Sequence, residues 1–463
     1  MDPMTLTDEI IKKALKKGCD SAEVFIKSAE GISVSAKDGE IEALEASCEI
    51  GIALRVIKGN RPGFSFTTSH AEDDIENTIA EAVEGSRWTV ADIYIDLPAQ
   101  MKPSEVMVFD GKIKELREED IIKHALSLEE KTRAYDSRIT KVRKAEVSAG
   151  TGITTILNSK GVKASYASSY VSASVTPLAE DGNDSQIGWG FASSRRISGI
   201  DLDNIAASAS KRAVELLGSR KIKPLKSPVI LDPYVAVQFL GIVSASLSAE
   251  AVQKKRSLLA GRTGQTIVSP LIEIIDDGLM PWGTGTKPVD DEGVSVSCKT
   301  LVSKGVLTGY LHNTYTAKKD GIVSTGNAVR SSSKSLPGVG ATNLYIKPAG
   351  SQESVSSGDP TRREVRGQKS EEKNELIRSL SRGILITEVM GVHTANPVSG
   401  DFSVGISGLW IENGEALYPV KEAVISGNIL ELFKKVEIVG SDLTFYGGKG
   451  SPSILIGEMD ISA

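Results

Sequence analysis

The side chains that most often carry metal and nucleophile chemistry are scarce in this chain. Its 463 residues include four His and three Cys, the residue types on which zinc sites and covalent catalysis draw heavily. The cysteines Cys19, Cys48 and Cys298 are odd in number, far apart and not arranged as Cys-x-x-Cys. This spacing fits neither a disulfide framework nor a zinc knuckle, and a reducing cytoplasm is the expected compartment.

Two of the four histidines lie in segments where a structural role is expected. His70 falls in the first turn of a predicted helix, and His124 lies among Glu, Lys and Arg on a predicted solvated helix face. The other two, His312 and His393, stand in polar, loop-like segments, where functional sites are common. A satisfied hydrogen-bonding role is favoured for each, because nothing in their spacing predicts a shared metal site.

Short motifs with a known mechanism are weak or absent. The sequence contains neither His-Glu-x-x-His nor Gly-x-Ser-x-Gly, the patterns of helical zinc hydrolases and of many serine hydrolases. Gly447-Gly-Lys-Gly-Ser451 lacks the earlier glycine of a phosphate loop and is interpreted as a turn. The acidic run Asp290-Asp-Glu-Gly293 is also interpreted as a turn, because a hard cation needs more oxygen ligands than this run offers.

Length and composition limit the class of protein that can carry such a site. Hydrophobic residues make up 40% of the chain and charged residues 25%, as in soluble globular proteins. The net charge of −6 argues against a protein that mainly grips phosphate backbones. The longest uncharged stretch, residues 233–249, is shorter than the ~20 residues of a membrane span. We therefore expect a cytoplasmic protein without nucleic-acid or membrane partners.

We predict an α+β fold in two domains, as the length suggests. Residues 1–220 form an N-terminal α/β part with antiparallel sheets and helices, divisible into 1–90 and 105–220. Residues 221–463 form a largely β C-terminal domain. The basic stretch 221–228, which contains two prolines, is the predicted boundary.

Periodicity and turn residues predict the N-terminal elements. A short amphipathic helix ends at Gly18, and Ser69-His-Ala-Glu72 has the spacing of a capping box for a helix to about Trp88. Asp38-Gly39 predicts a hairpin turn. The other predicted elements are strands at 22–28, 32–36, 40–48, 50–57, 63–67, 139–149, 151–158 and 162–176, and helices at 117–135 and 200–217, the last capped by Asp201.

In the C-terminal half, Asp232-Pro233 supplies an N-cap and a first-turn proline for a helix through about Ser248. One face of this helix carries apolar residues at helical spacing and is predicted to pack in a core: Ala236, Phe239, Leu240, Val243 and Leu247. Asn413-Gly414 predicts a hairpin. Residues 350–372 are almost devoid of large apolar side chains and are predicted to form a solvated, mobile loop.

Several segments of the C-terminal half occur in the order found in a known family. They are Val289-Asp-Asp-Glu-Gly293, Gly305-Val-Leu-Thr-Gly-Tyr-Leu311 with Ser324-Thr-Gly-Asn327, Gly383-Ile-Leu-Ile-Thr-Glu-Val-Met-Gly391, Ser399-Gly-Asp-Phe-Ser403, Trp410-Ile-Glu-Asn-Gly-Glu415, Tyr418-Pro-Val420 and Val439-Gly-Ser-Asp442. The ordered set resembles the TldD/PmbA family, also called TldD/TldE. The resemblance spans most of the chain and is firmest from about residue 225 onward.

This resemblance implies a two-subunit metalloprotease. The TldD-type subunit carries His-Glu-x-x-x-His on a helix, and a cysteine near the C-terminus completes its zinc site. The PmbA (TldE) type has the same fold without those ligands. In a site of this kind, zinc is held by three protein ligands and activates a water molecule, and a glutamate serves as general base.

A comparison of positions assigns this chain to the PmbA type. Counting back from residues 260–264, which resemble the family segment after the zinc helix, places the zinc motif on residues 240–245. Leu240 and Ala245 would then replace the two histidines, and Gly241 would replace the glutamate. A shift of several residues restores nothing, because these segments contain no histidine.

The third ligand is missing as well. Tyr446 stands at the approximate place of the cysteine, and no Cys follows Cys298. We therefore predict no catalytic, cofactor-binding or metal-ligating residues and no cofactor. The resemblance implies the non-catalytic partner of a TldD-type zinc subunit, or a dimer with a second copy, that helps wall a chamber for extended peptide substrates.

Two other functions stay open. The first is an autonomous metallopeptidase with a non-standard site built from His312, His393 and a carboxylate such as Glu388 or Asp401. The second is a binding protein that modulates DNA gyrase, as an older label of the family suggests. No basic stripe or interleaving of basic and aromatic residues supports this second function.

Overall fold

The computed structural model of the chain describes residues 3–351 and 374–462. Apart from its first two positions, the predicted loop 350–372 lies outside the described residues. The predicted α+β class is confirmed, with antiparallel sheets and amphipathic helices in the N-terminal half and a largely β C-terminal half. None of the helices in the described ranges is long and apolar enough to cross a membrane.

The helices are α1 (Pro3–Lys16), α2 (Glu72–Trp88), α3 (Gly111–Lys114), α4 (Glu118–Arg133), α5 (Leu202–Glu215), α6 (Pro233–Ser246), α7 (Ala249–Gln253), α8 (Thr314–Asp320), α9 (374–378) and α10 (Ile429–Lys434). The strands are β1 (Ser21–Lys37), β2 (Glu40–Lys58), β3 (Arg61–Thr67), β4 (Ile139–Asn158), β5 (Lys163–Asp181), β6 (Asp184–Ile187), β7 (Gly190–Ser194), β8 (Leu225–Leu231), β9 (Ile274–Asp277), β10 (Cys298–Ser303), β11 (Val306–Leu307), β12 (Ala328–Val329), β13 (Gly338–Val339), β14 (Leu344–Ile346), β15 (Arg382–Met390), β16 (Asp401–Glu412), β17 (Glu415–Asn428), β18 (Val436–Val439), β19 (Thr444–Tyr446), β20 (Lys449–Ser451) and β21 (Ile454–Ser462).

A seven-stranded antiparallel sheet forms the N-terminal half, in the order β3-β2-β1-β4-β5-β6, with β7 also paired to β5. Alternate residues of its strands face the helices. α1 and α2 pack on one end of this face and α4 and α5 on the other. The cores beneath them include Ile10, Val24, Leu54 and Ile79 at the first end and Val34, Leu128, Val147 and Ala209 at the second.

Three pairs of predicted short strands are single long strands, β1, β2 and β4. The predicted breaks near Gly31 and Gly150 are wrong. These glycines do not form turns; they leave space for the side chain of Tyr170 within the sheet. The ring of Tyr170 lies against both: a Cβ added to Gly31 would stand 2.3 Å from the Tyr170 hydroxyl, and one added to Gly150 would stand 2.8 Å from it. Glycine in a strand interior often marks such a close approach.

The helix caps confirm one prediction and correct another. Asp201 caps α5 as predicted, accepting a hydrogen bond from Asn204 N at 3.0 Å. The capping box predicted for α2 is wrong: the N-cap is Ala71, and Ser69 Oγ accepts a hydrogen bond from Ala71 N instead. His70 is exposed and precedes the helix, so it does not lie in the first turn.

Five strands of the C-terminal half close into a ring. They follow the order β17-β16-β15-β8-β21, and β17 also pairs with β21, while β18 is added to β21. The predicted hairpin turn joins β16 and β17, with positive φ angles of 53° at Asn413 and 77° at Gly414. A second sheet has the order β11-β10-β9-β14-β20-β19, and β12 and β13 form a separate pair.

Helix α6 contacts strands of both C-terminal sheets. The predicted turn at Gly447-Gly-Lys-Gly-Ser451 is confirmed only for Gly447 and Gly448, which connect β19 to β20; Lys449–Ser451 form β20 itself. This hairpin packs beside α6, so the fold brings the two regions that the sequence comparison singled out next to each other.

Candidate functional site

A groove runs along α6, between this helix and the chain segment 338–342. Two adjoining cavities of about 350 and 500 Å³ make up its length. Both are lined by Ser244, Gly340 and Ala341, so they form one continuous depression. The larger cavity reaches Tyr446 in the β19–β20 hairpin, the position that the family resemblance assigns to a zinc ligand.

The sequence of α6 explains both of its faces. Asp232 accepts a hydrogen bond from Tyr234 N at 3.0 Å, and Pro233 occupies the first turn, as predicted. The predicted core face is confirmed, since all of its residues are 0% exposed: Ala236, Phe239, Leu240, Val243 and Leu247. The groove is lined by residues with smaller or polar side chains, among them Gln238, Gly241, Ser244 and Ala245. A Cβ added to Gly241 would meet no atom within 4 Å, so the groove floor is open there.

The opposite wall of the groove is an edge strand. β13 pairs with β12 through Val339 and Ala328, and Gly340 N donates to Asn327 O at 3.0 Å. Because peptide groups alternate in direction along an extended strand, those of Val339 and Ala341 point away from β12. No hydrogen bond within the described ranges uses them. The wall therefore offers backbone donors and acceptors to the groove.

A buried carboxylate fixes this wall in place. Asp276, which is 0% exposed, accepts hydrogen bonds from Thr342 N and Thr342 Oγ1 at 2.6 and 2.9 Å. It also accepts one from Asn327 Nδ2 at 2.8 Å, and the same amide donates to Gly340 O at 3.0 Å. Lys299 Nζ lies 3.5 Å from the Asp276 carboxylate and balances its charge. The edge strand is thus held on the side of Asn327 and Asp276, and its side towards the groove has no partner among the described residues.

An aromatic and cationic cluster encloses Tyr446 at the end of the groove. The centroid of its ring lies 5.3 Å from that of Tyr234 and 6.0 Å from that of Trp189. The guanidinium of Arg212 stands 4.3 Å from the centroid of the Trp189 ring. Arg212 Nη1 and Trp189 Nε1 both donate to Glu388 Oε1, at 2.8 and 2.9 Å. The cluster thus joins the N-terminal sheet and α5 to the β19–β20 hairpin.

Burial sets the ionisation of this cluster. It raises the pKa of the Tyr446 hydroxyl, although the nearby Arg212 favours the phenolate. It also raises the pKa of Glu388, against the attraction of Arg212. A metal ligand must be deprotonated. Tyr446 is therefore a protonated, packed side chain and a poor zinc ligand.

The residues at the predicted zinc positions do not fit a zinc ion. Gly241, Ala245 and Tyr446 line the groove, whereas Leu240 is 0% exposed and points into the core. Glycine and alanine carry no side-chain donor atoms. Across residues 3–351 and 374–462, no three His, Cys, Asp or Glu side chains lie close enough to hold a metal ion.

The residues of the alternative metal site lie in separate environments. His312 is 3% exposed and adjoins the start of α8, whereas His393 is exposed in a helical turn after β15. Glu388 is held in the Tyr446 cluster. Asp401 lies at the surface, where its Oδ1 accepts a hydrogen bond from Asn428 Nδ2 at 3.0 Å. The described structure does not bring them together as a metal cluster.

Two histidines differ from the prediction. The Nδ1 atoms of His124 and His312 are buried and find no hydrogen-bond partner among the described residues. His124 is half-buried, so its predicted position on a solvated face is wrong. His312 was predicted to have its hydrogen bonds satisfied, and this is wrong for its Nδ1 atom. Burial lowers the pKa of its imidazole.

A buried charge network that was not predicted from the sequence joins the two halves of the chain. Glu23 Oε1 accepts from Arg330 Nη2 at 2.6 Å, and Glu23 Oε2 accepts from Arg55 Nη2 at 2.7 Å. Arg55 Nη1 also donates to Glu292 Oε1 at 2.9 Å. Both glutamates are 0% exposed. One feature of the sequence could have indicated this network: Glu23 and Arg55 are each the single charged residue in an otherwise apolar strand segment.

The acidic run is a turn as predicted, but its carboxylates are buried. Asp290 accepts three backbone N–H donors, and Lys287 Nζ donates to Asp291 Oδ1 at 2.7 Å. Burial and the neighbouring Glu292 raise the pKa of Asp290 to about 8. The run therefore belongs to the contact between the two halves of the chain and not to a solvated loop.

Three family descriptions match the chain in order. Residues 22–86 match domain 1 of the PmbA/TldA metallopeptidases, and residues 111–217 match their central domain. Residues 224–463 match their C-terminal domain, which is more than half of the chain. The groove, its edge strand and the β19–β20 hairpin all lie within this last match.

Individual proteins match along almost the whole chain. The metalloprotease PmbA of Escherichia coli O157:H7 is 26% identical over 467 residues, which cover 99% of this chain and 96% of that protein. A crystal structure from Thermotoga maritima, described as a candidate modulator of a DNA gyrase, matches with a TM-score of 0.87 at 25% identity and covers 99% of each chain. The structure of TldE from Thermococcus kodakarensis matches with a TM-score of 0.87 at 21% identity and covers 99% of this chain and 100% of that one. This last likeness concerns the fold alone.

Proposed function

The chain belongs to the PmbA/TldA metallopeptidase family, and on that premise we propose that it is the non-catalytic subunit of a TldD/TldE-type metalloprotease that acts on peptides. The observation that carries the proposal is the chemistry of the groove at α6. Gly241 and Ala245 line this groove, at positions to which the family resemblance assigns the general base and a zinc ligand of a catalytic member. Tyr446 is packed and protonated where a third ligand would be needed. The groove is present, and the residues at these three positions do not supply the donor atoms of a zinc site.

The proposed complex takes its zinc and its general base from a TldD-type subunit. This chain then contributes surfaces that bind and orient the peptide. The face of the N-terminal sheet that the helices leave uncovered supports this role. Its central positions carry hydroxyl groups: those of Ser33 and Ser148 lie 2.7 Å apart, and the ring of Tyr170 lies over Gly31 and Gly150. Such a surface offers hydrogen-bonding groups and one aromatic ring and lacks a large aliphatic patch at these positions, so it suits the wall of a chamber through which peptides of many sequences pass.

The open edge of β2 supports a paired subunit. β3 pairs with β2 only from Ile52 onward, so residues 40–51 have no strand on that side in the described structure. Residues 40–49 are exposed along their whole length. An unpaired edge of this length is a template for another chain, and its glutamates limit unspecific pairing. We place the contact with the TldD-type subunit, or with a second copy, at this edge.

The test is reconstitution with a TldD-type protein. We expect the two chains to co-purify and zinc-dependent peptide cleavage to appear only in the mixture. Zinc-dependent cleavage by this purified chain alone would contradict the proposal.

A matched pair of variants tests the β2 edge in the same assay. Leu44→Lys changes a residue of the open edge that is 38% exposed, and Leu417→Lys changes a residue of β17 that is 52% exposed. Both substitutions add one charge at a surface position. Co-purification should weaken with the first variant and persist with the second; equal yields for the two would place the subunit contact elsewhere.

A further inference from the structure

We propose that the groove along α6 is a peptide-binding site in its own right, which captures an extended acidic segment by strand pairing and does not cleave it. The inference rests on the proposed function and deepens it, because it assigns a substrate class to the subunit without zinc ligands. Three independent features carry it: an edge strand without a partner on its groove side in the described structure, an open floor, and two cations without an ion pair among the described residues.

The edge strand fixes the form of the ligand. The peptide groups of Val339 and Ala341 face the groove and have no partner among the described residues. An extended peptide laid beside them would form main-chain hydrogen bonds whatever its sequence. β13 and the two residues that follow it, 338–341, span about 10–13 Å at roughly 3.3 Å per residue, which is room for three or four ligand residues.

The groove floor leaves space for side chains of the ligand. At the centre of α6 the floor carries Gly241, Ser244 and Ala245, and a Cβ added to Gly241 would contact nothing within 4 Å. Alternate side chains of a strand point to opposite faces. Every second ligand residue would therefore enter the two cavities beside the helix.

Charge at the two ends selects the ligand. Arg256 lines the smaller cavity and Lys449 the larger one, and neither forms an ion pair with a described carboxylate. Glu250, also in the smaller cavity, is paired with Lys254 at 2.5 Å and so does not neutralise Arg256. Arg256 and Lys449, which form no ion pair with a described residue, are complementary to a segment with acidic residues near both of its ends.

Capture without cleavage follows from the same residues. The central part of the groove holds glycine, serine and alanine where hydrolysis by zinc would require ligands and a base. A bound segment would be held and released intact. In the proposed complex, this adds a second point of attachment for a peptide and raises its effective concentration near a catalytic subunit.

The test measures binding of two fluorescein-labelled peptides to the full chain by fluorescence anisotropy. One peptide alternates Glu with Thr and the other alternates Lys with Thr. We expect the acidic peptide to bind at least about tenfold more tightly at low salt, with the difference shrinking as salt screens the charges. Recovery of intact peptide, checked by mass spectrometry, accompanies each titration.

Two variants and two matched controls locate the site. Gly241→Phe should fill the groove and abolish binding, whereas Gly85→Phe, at another helical glycine where an added Cβ meets nothing within 4 Å, should leave binding unchanged. Arg256→Glu combined with Lys449→Glu should reverse the preference towards the basic peptide. Lys141→Glu, at an exposed residue of β4, should not. Circular dichroism confirms that each variant is folded.

The outcomes separate this inference from the proposed function. Failure to bind either peptide, or binding that Gly241→Phe and Gly85→Phe affect equally, overturns the groove site and leaves the subunit role intact. Cleavage of the peptide by this chain alone overturns the proposed function. Binding without cleavage that the groove variants abolish supports both.

Discussion

Arg330 and Glu23 are 307 residues apart in sequence and form a 2.6 Å ion pair in which both side chains are almost completely buried. The pair links the first strand of the N-terminal sheet to the C-terminal half. Glu23 is shared with Arg55, which in turn holds Glu292. Two ion pairs, Glu23 with Arg330 and Arg55 with Glu292, thus cross between the halves, and Glu23 joins them because both guanidinium groups share its carboxylate.

Removing that carboxylate should be costly. We expect Glu23→Gln to lower the free energy of unfolding by about 3–5 kcal/mol, because it leaves Arg55 and Arg330 buried beside a weaker partner. Urea unfolding measures the loss. Asp8→Asn, which removes an exposed partner of Lys12, is the control and should change stability by less than ~0.5 kcal/mol. Equal effects of the two variants would show that the network does not stabilise the fold.

Tyr446 should act through packing and not through its hydroxyl. Tyr446→Phe keeps the ring contacts with Tyr234 and Trp189 and removes only the hydroxyl beside Arg212, so it should cost about 1 kcal/mol or less. Tyr446→Ala removes the ring and should cost about 3–5 kcal/mol. Thermal unfolding of the three proteins tests the order. If the two variants were equally destabilised, the hydroxyl would be the essential group.

Adding one ligand should not create a metal site. We expect Tyr446→Cys to bind no more zinc than the parent chain after dialysis against zinc and removal of the free ion. The neighbouring positions Gly241 and Ala245 still lack donor atoms, and structural or catalytic zinc needs at least three protein ligands. Metal analysis by atomic emission is the measurement. Near-stoichiometric zinc in this variant would point to ligands outside the groove.

His312 should make the protein sensitive to mild acid. Burial lowers its pKa below the ordinary value, against a weaker opposing attraction from Asp320. The unfolded chain therefore takes up a proton first, so stability is unaffected above pH ~6.5 and falls as the pH decreases below it, by at most about 1.4 kcal/mol per pH unit. His312→Gln should flatten this slope in urea unfolding between pH 7 and 5. An unchanged slope would assign the acid sensitivity to other groups.

The close packing at Gly150 should tolerate no side chain. A Cβ there would lie 2.3 Å from the backbone oxygen of Glu30 in the neighbouring strand, which cannot move aside as a side chain can. We expect Gly150→Ala to cost about 1–3 kcal/mol. Gly427→Ala, where the nearest atom is 3.7 Å away, is the matched strand control and should be nearly neutral. Chemical unfolding of both variants provides the comparison.

Local signals in the sequence predicted the long helices and the long strands β1 to β5 of the N-terminal half. The Asp232-Pro233 start of α6, the Asp201 cap of α5 and the Asn413-Gly414 hairpin depend on neighbouring residues only, and all three are confirmed. The predicted breaks in β1 and β4 are wrong because Gly31 and Gly150 pack against Tyr170 of another strand and do not form turns. Contacts between distant strands leave no mark in a local pattern.

The same limit applies to the candidate site. The apolar spacing of α6 predicted its core face, and the small residues on its other side were visible as sequence. The edge strand opposite them was not, because Val339 and Ala341 become a groove wall only through pairing with β12. The buried charges of the acidic run were missed for a similar reason. Asp290, Asp291 and Glu292 look solvated until β12 and the N-terminal sheet are placed over them.

The closed ring of five strands has a consequence for how the chain is made. β8 ends at Leu231, and its neighbour β21 begins at Ile454. At roughly 5–20 residues per second, a ribosome needs on the order of 10–45 s to synthesise the intervening chain. For most of that interval β8 has neither of its neighbouring strands, β15 and β21, beside it. The apolar residues Val229, Ile230 and Leu231 therefore lack the strand contacts of the finished fold. The C-terminal half is thus a late-folding unit whose early strand needs protection during translation, whereas the N-terminal sheet can assemble as it emerges.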